Sequence, residues 1–232
     1  MSEVIISSPE GRIEGKYNHS AEPNAPTALI LHPHPLHGGT MNNKVVYNVY
    51  HTFVRNGFST LRINFRGVGK SSGTFDNGVG ELIDAAIALD WLQLQNPSSN
   101  NFWIAGFSFG AWIAMQLLMR RPEIHGFVAV SPPANLYDFS FLSPCPSSGL
   151  VVGAEKDSVA PEESISKLLS KISKQKNTEI DYQVIPGADH FYRLTMDDLV
   201  KSIDDYIKKR FSEIQDHTIT KVDRRRRRQP VE

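Results

Sequence analysis

Cysteine is almost missing from this chain: of 232 residues, one, Cys145, carries a thiol. A single thiol closes no internal disulfide, so packing alone must hold the fold, and the usage fits a reducing compartment. Excess charge is missing too. Lysine and arginine total 25, as do aspartate and glutamate, so the body has no overall field that gathers polyanions. No stretch approaches the roughly 18 uninterrupted apolar residues of a membrane span. The opening MSEVIISSPEGRIEGKYNHS has no basic region leading into a long apolar run. The sequence therefore predicts no signal peptide, no transmembrane helix and a cytoplasmic location. It also lacks an internal repeat and any sign of a second domain. What is present is ordinary for a globular protein, 40% hydrophobic and 22% charged, which suffices for one domain whose core needs no staple.

Short apolar runs at 4–6, 28–31, 60–65, 102–105, 127–130, 150–152 and 182–185 alternate with segments of helical periodicity. From residue 28 onward the runs are strand-length and bounded by Gly, Pro, Asn or Ser. They are apolar throughout, which predicts burial on both faces, as in a parallel sheet. Helices are predicted over 43–55, 80–95, 109–119, 161–173 and 197–211. The first puts Val46, Val49, Tyr50 and Phe53 on one face and stops at Asn56-Gly57. The third is apolar nearly all round, as a buried helix is. Alternating strands and helices predict a parallel sheet covered on both faces. The stretch before residue 28 is less regular and leaves room for antiparallel edge strands.

Domain organisation reads as one α/β domain over 1–213 and a basic, flexible tail over 214–232. The tail contains five consecutive arginines at 224–228, and such a block repels itself and stays solvated. Its other reading is an electrostatic hook for RNA or an acidic surface. Nucleic acid is not the expected partner.

The sharpest local pattern is Gly106-Phe107-Ser108-Phe109-Gly110. An apolar strand precedes it and a helix-forming run follows, so Ser108 is predicted on a tight strand-to-helix turn, exposed as a nucleophile. The glycines remove Cβ atoms where that turn crowds its neighbours. The helix start aims backbone N–H groups at negative charge forming beside the serine.

A serine hydroxyl needs a base, and the base needs an orienting acid. His190, in Gly187-Ala188-Asp189-His190-Phe191, follows the strand at 182–185 and so falls at a strand's C-terminal end, where sites on open α/β sheets gather. For the acid, Asp157 follows the strand at 150–152 and best matches the order Ser, Asp, His. Glu155 in the same loop, Asp138 after the preceding strand and Asp189 beside the base are the alternatives. An oxyanion needs two backbone donors. Phe109 N–H is the first. The second must come from Leu31-His32-Pro33-His34-Pro35-Leu36-His37-Gly38-Gly39-Thr40. Pro33 and Pro35 have no N–H, which leaves His34, then Leu36. His32, His34 and His37 also invite a metal reading, but prolines split their spacing and no carboxylate or cysteine completes a set. Their expected role is to shape the loop, and no metal is expected.

These segments, with Asn64-Phe65-Arg66-Gly67-Val68-Gly69-Lys70-Ser71, resemble the α/β-hydrolase superfamily over residues 27–211. The start from His32 to Asn43 is similar to that of small bacterial hydrolases near the dienelactone-hydrolase and acylaminoacyl-peptidase branches. The resemblance implies an α/β-hydrolase fold: about eight strands, mostly parallel, flanked by helices, with the triad Ser108, Asp157 and His190. Many relatives carry His-Gly in the oxyanion loop, whereas here Pro33 follows His32. The segment 131–148 is too short and proline-broken for a helical lid, and Phe139, Phe141 and Leu142 either border the pocket or pack in the core. The expected activity is hydrolysis of an acyl ester on a small-molecule substrate, without a cofactor or a membrane. A peptidase, amidase or thioesterase uses the same triad. A non-catalytic binding protein would ordinarily have a damaged one.

Overall fold

Four of the apolar runs form strands buried along their whole length: β3 (Thr27–Leu31), β4 (Ser59–Ile63), β5 (Phe102–Phe107) and β7 (Gly149–Ala154). With β6 (Ile124–Val130) and β8 (Ile180–Ile185) they make six parallel strands. The computed structural model describes residues 1–172 and 178–226, with side chains as far as Phe211.

β1 (Ser2–Ser8) and β2 (Gly11–Asn18) complete an eight-stranded sheet in the order β1-β2-β4-β3-β5-β6-β7-β8. β2 pairs antiparallel with both neighbours. Its sequence carries no continuous apolar run. Instead Ile13, Gly15 and Tyr17 alternate with Arg12, Glu14 and Lys16, the period-two pattern of a strand with one face inward. Ile13 and Tyr17 join the core.

Alternate residues of each central strand feed two core layers. Leu29 and Leu31 face α2 (Val79–Gln95), α3 (Phe109–Leu118) and α4 (Glu162–Ile172). Ala28 and Ile30 face α1 (Lys44–Arg55) and α5 (Met196–Arg226). Asn43 caps α1, as its side chain accepts the N–H groups of Val45 and Val46. Phe139 and Leu142 are buried in the first layer and Phe141 packs against it, so the apolar residues of the 131–148 segment belong to the core. That segment forms loops and one short 3-10 turn, Ser140–Leu142. Among the described residues, no lid covers the sheet's C-terminal edge.

The backbone of α5 runs on to Arg226, into the stretch where the charge run predicts a loose tail. Arg227 and Arg228 lie outside the described residues, as does Ser173 at the end of the predicted fourth helix. Among the described residues, no helix is long and apolar enough to cross a membrane.

Candidate active site

The strand-to-helix turn after β5 forces Ser108 to φ 55° and ψ −119°. A non-glycine residue there costs on the order of 1–3 kcal/mol, which the surrounding fold must hold in place. It is held on one side by Ser108 N–H, which donates to Val130 O of β6 at 2.9 Å. It is held on the other by close packing. A Cβ on Gly106 would collide with the Gly110 backbone, and one on Gly110 would lie 2.5 Å from the carbonyl oxygens of Leu31 and His32. The two glycines are therefore steric requirements of the turn.

His190 lies beyond β8, and Asp157 beyond β7. Backbone bonds zip these two loops together: Glu155 N–H donates to Ile185 O (3.2 Å) and Lys156 N–H to Ala188 O (2.8 Å). The result brings three side chains into line. His190 Nε2 is 3.1 Å from Ser108 Oγ, and His190 Nδ1 is 2.7 Å from Asp157 Oδ2. Asp157 Oδ1 accepts the N–H groups of Val159 and Ala160, each at 2.8 Å. Burial pushes the Asp157 carboxyl up. The bonds from His190, Ala160 N–H and Val159 N–H outweigh it and hold the group below the usual carboxylate range. An ionised Asp157 places the imidazole proton on Nδ1, leaving the Nε2 lone pair toward the serine hydroxyl.

The alternative carboxylates have other partners. Glu155 accepts Gly187 N–H (2.6 Å), Asp138 binds Ser140, and Asp189 binds Arg193. Tyr192 was not anticipated: its hydroxyl meets Ser131 Oγ at 2.9 Å, tying the base loop to the end of β6.

On the opposite side, Phe109 and His34 line the cavity beside Ser108. Neither backbone N–H has a hydrogen-bond partner among the described residues. Leu36, the second choice as donor, is corrected here: its N–H donates to His34 Nδ1 (3.2 Å) and is no longer free. The His34 carbonyl turns the loop back by accepting from His37 and Gly39. Gly39 is required, because a Cβ would collide with the Pro33 and His34 carbonyls.

Residues after β3 and on β4 fasten this loop at both ends. His32 is fully buried, and its Nε2 accepts Phe65 N–H at 3.0 Å. The ring proton therefore sits on Nδ1, which donates to Pro33 O (2.6 Å). Both ring nitrogens are engaged, so His32 has no lone pair for a metal. Burial pushes its pKa down to about 4 against the smaller opposing effect of the Pro33 carbonyl. Further along, Met41 N–H donates to Asn64 Oδ1 (2.8 Å) and Met41 O accepts from buried Arg62 (2.6 Å). Asn64 Nδ2 donates to Glu14 Oε2, which also accepts Lys70 N–H. Arg66 forms a buried fork with Asp84 of α2. The roles of Arg62, Glu14 and Asp84 were not foreseen. A carboxylate beside the apolar stripe of α2 was the available signal for Asp84.

Ser108 opens into a cavity of about 370 Å³. Part of its lining is apolar, from Pro133, Leu136, Val159 and Phe191, with Tyr137 beside them. Another part carries His34, His37 and Asn43, and among the described residues no acidic, lysine or arginine side chain lines the cavity.

Comparison with known proteins agrees with this architecture. The profile of the X-Pro dipeptidyl-peptidase (S15) family matches residues 19–217. The uncharacterized protein RP471 of Rickettsia prowazekii (strain Madrid E) is 55% identical over 211 residues, 89% of each chain. The crystal structure of ATU1826 from Agrobacterium tumefaciens, a protein of unknown function proposed to be an α/β hydrolase, superposes with a TM-score of 0.89 at 53% identity. That match covers 91% of this chain and 97% of the other. XC6422 from Xanthomonas campestris, an α/β serine hydrolase without a lid, gives 0.79 at 27% identity, over 90% and 94% of the two chains. The chain belongs to the X-Pro dipeptidyl-peptidase (S15) family, within the α/β-hydrolase superfamily.

Proposed function

We propose that the chain is a carboxylic-ester hydrolase of small cytoplasmic substrates, acting through Ser108, His190 and Asp157. Ser108 Oγ attacks the ester carbonyl carbon while its proton passes to His190 Nε2. Asp157 holds the imidazole in the tautomer that can accept it and stabilises the imidazolium. The N–H groups of Phe109 and His34 meet the oxyanion, at the N-terminus of α3. Collapse of the intermediate breaks the bond to the alcohol oxygen, which takes the proton from His190. Water then attacks the acyl-serine by the same route in reverse and releases the acid.

The observation that favours an ester is the cavity lining. A dipeptidyl-peptidase must hold the ammonium at the start of its substrate, and a buried cation calls for a carboxylate. Among the described residues, the lining offers none. The family match favours the peptidase as the second reading. The test compares p-nitrophenyl butyrate with Ala-Pro-p-nitroanilide, using wild type and Ser108→Ala. The expected result is ester turnover at least about tenfold faster than anilide turnover, and loss of about 10⁵-fold or more in Ser108→Ala. Faster anilide cleavage would favour the peptidase. Equal turnover by wild type and Ser108→Ala would remove both.

A further inference from the structure

Two parts of the cavity lining differ in what they offer a bound molecule. Pro133, Leu136, Val159 and Phe191 make one part of the lining apolar and partly open: Leu136, Val159 and Phe191 are all exposed. Another part presents hydrogen-bond donors whose orientation is fixed by local structure.

Asn43 is the clearest case. As cap of α1, its Oδ1 must be the atom that accepts Val45 N–H (2.9 Å) and Val46 N–H (3.5 Å), because an amide nitrogen cannot accept. The amide is thereby locked, and Nδ2 with its two protons has no partner among the described residues. Asn43 lines the cavity, so those protons are left for a ligand. His34 is fixed in the same manner. Its Nδ1 accepts Leu36 N–H, which puts the ring proton on Nε2. Its ring packs against His37, Phe75 and Phe109 at centroid distances of 4.5, 4.7 and 5.1 Å. Burial, then the neighbouring His37, keep its pKa below the ordinary histidine value, so it is a neutral donor at pH 7. No acceptor-only carboxylate balances these donors.

We propose that Asn43 and His34 make the cavity selective for esters that carry a second acceptor oxygen, a carbonyl or carboxylate, a few bonds from the scissile carbonyl. The apolar wall takes the other substituent. Asn43 is then a specificity-determining residue, and the inference rests on the ester-hydrolase reading above. The chemistry is that of an ester of an oxo acid or an oxo alcohol, or of the monoester of a dicarboxylic acid.

The test uses two isosteric pairs. Ethyl 4-oxopentanoate against ethyl 4-methylpentanoate places the oxygen on the acyl side. 3-Oxobutyl acetate against 3-methylbutyl acetate places it on the alcohol side. Within one pair, kcat/KM is expected to favour the oxo ester by about tenfold, as two neutral hydrogen bonds supply. Asn43→Asp keeps a capping oxygen for α1 but replaces the donor with an acceptor. The preference is expected to vanish or invert. His34→Phe keeps the ring packing and is expected to reduce the preference several-fold. A preference below about twofold in both pairs, or one unmoved by Asn43→Asp, would overturn the proposal while leaving ester hydrolysis intact. A wild type that turns over none of the four esters would overturn the ester reading instead. In that case NMR titration of Ser108→Ala with ethyl 4-oxopentanoate and ethyl 4-methylpentanoate still decides the matter. Tighter binding of the oxo ester, lost on adding Asn43→Asp, supports the donor wall, and equal binding contradicts it.

Discussion

The two halves of the proposed site are held in different ways. The acid–base half, from the loops after β7 and β8, adds to its backbone bonds a direct link between the functional side chains themselves: Asp157 to His190 and His190 to Ser108. The oxyanion half, the loop after β3, is tied by residues that face away from the cavity. His32 fastens one end through Phe65, while Asn64 and Arg62 fasten the other through Met41. In the first half, losing a side chain removes chemistry directly. In the second, it removes the placement of a backbone N–H, which then aims poorly at the developing charge.

The largest effect should come from the first half. Asp157→Asn keeps the shape and can donate to His190 Nδ1, which favours the wrong tautomer. A fall in kcat of about 10⁴-fold is expected for ester substrates. A fall below about tenfold would mean that Asp157 serves the loop and not the imidazole.

A smaller effect should follow in the second half. Asn64→Ala leaves Met41 N–H without its partner and removes one of the two N–H donors on Glu14 Oε2. A kcat loss of about tenfold to a hundredfold is expected from misplacing the loop. The same change should lower the urea midpoint, since each orphaned buried group costs about 1–3 kcal/mol. A kcat within threefold of wild type, at lower stability, would show that the loop keeps its own shape.

The last effect falls on stability alone and concerns His32, with a folded pKa of about 4 against an ordinary 6.5. Between those values the unfolded chain binds a proton that the folded one refuses, so folding stability falls as pH drops through this window. The full difference is on the order of 3 kcal/mol. His32→Gln should flatten that slope in denaturation curves taken from pH 7 to 4, and an unchanged slope would assign the pH dependence elsewhere.

Legibility in the sequence divides along the same line. Ser108, Asp157 and His190 each sit a few residues past a strand that its own apolar run announces, so short-range pattern and chain order suffice to bring them together. The six parallel strands were legible for the same reason. β2 was not, because Arg12, Glu14 and Lys16 mask an alternating strand as a polar loop, and Glu14 is buried only through Asn64 and Lys70. The choice between His34 and Leu36 was equally hidden. It depends on a bond from Leu36 N–H to the His34 ring, a matter of turn geometry and not of residue type. The assignment of Phe139 and Leu142 to the core depends on where an irregular loop lies, which periodicity does not encode. Arg62 and Asp84 act across layers, through partners 21 and 18 residues away.

The most direct measurement for the site as a whole is intact-mass analysis after treatment with a fluorophosphonate, which reports an activated serine whatever the natural substrate. Wild type should gain one phosphonyl adduct, mapped to Ser108 by peptide fragmentation. Ser108→Ala should gain none, and His190→Ala should react far more slowly. An adduct that persists in Ser108→Ala, or a wild type that takes up no reagent, would contradict Ser108 as the nucleophile.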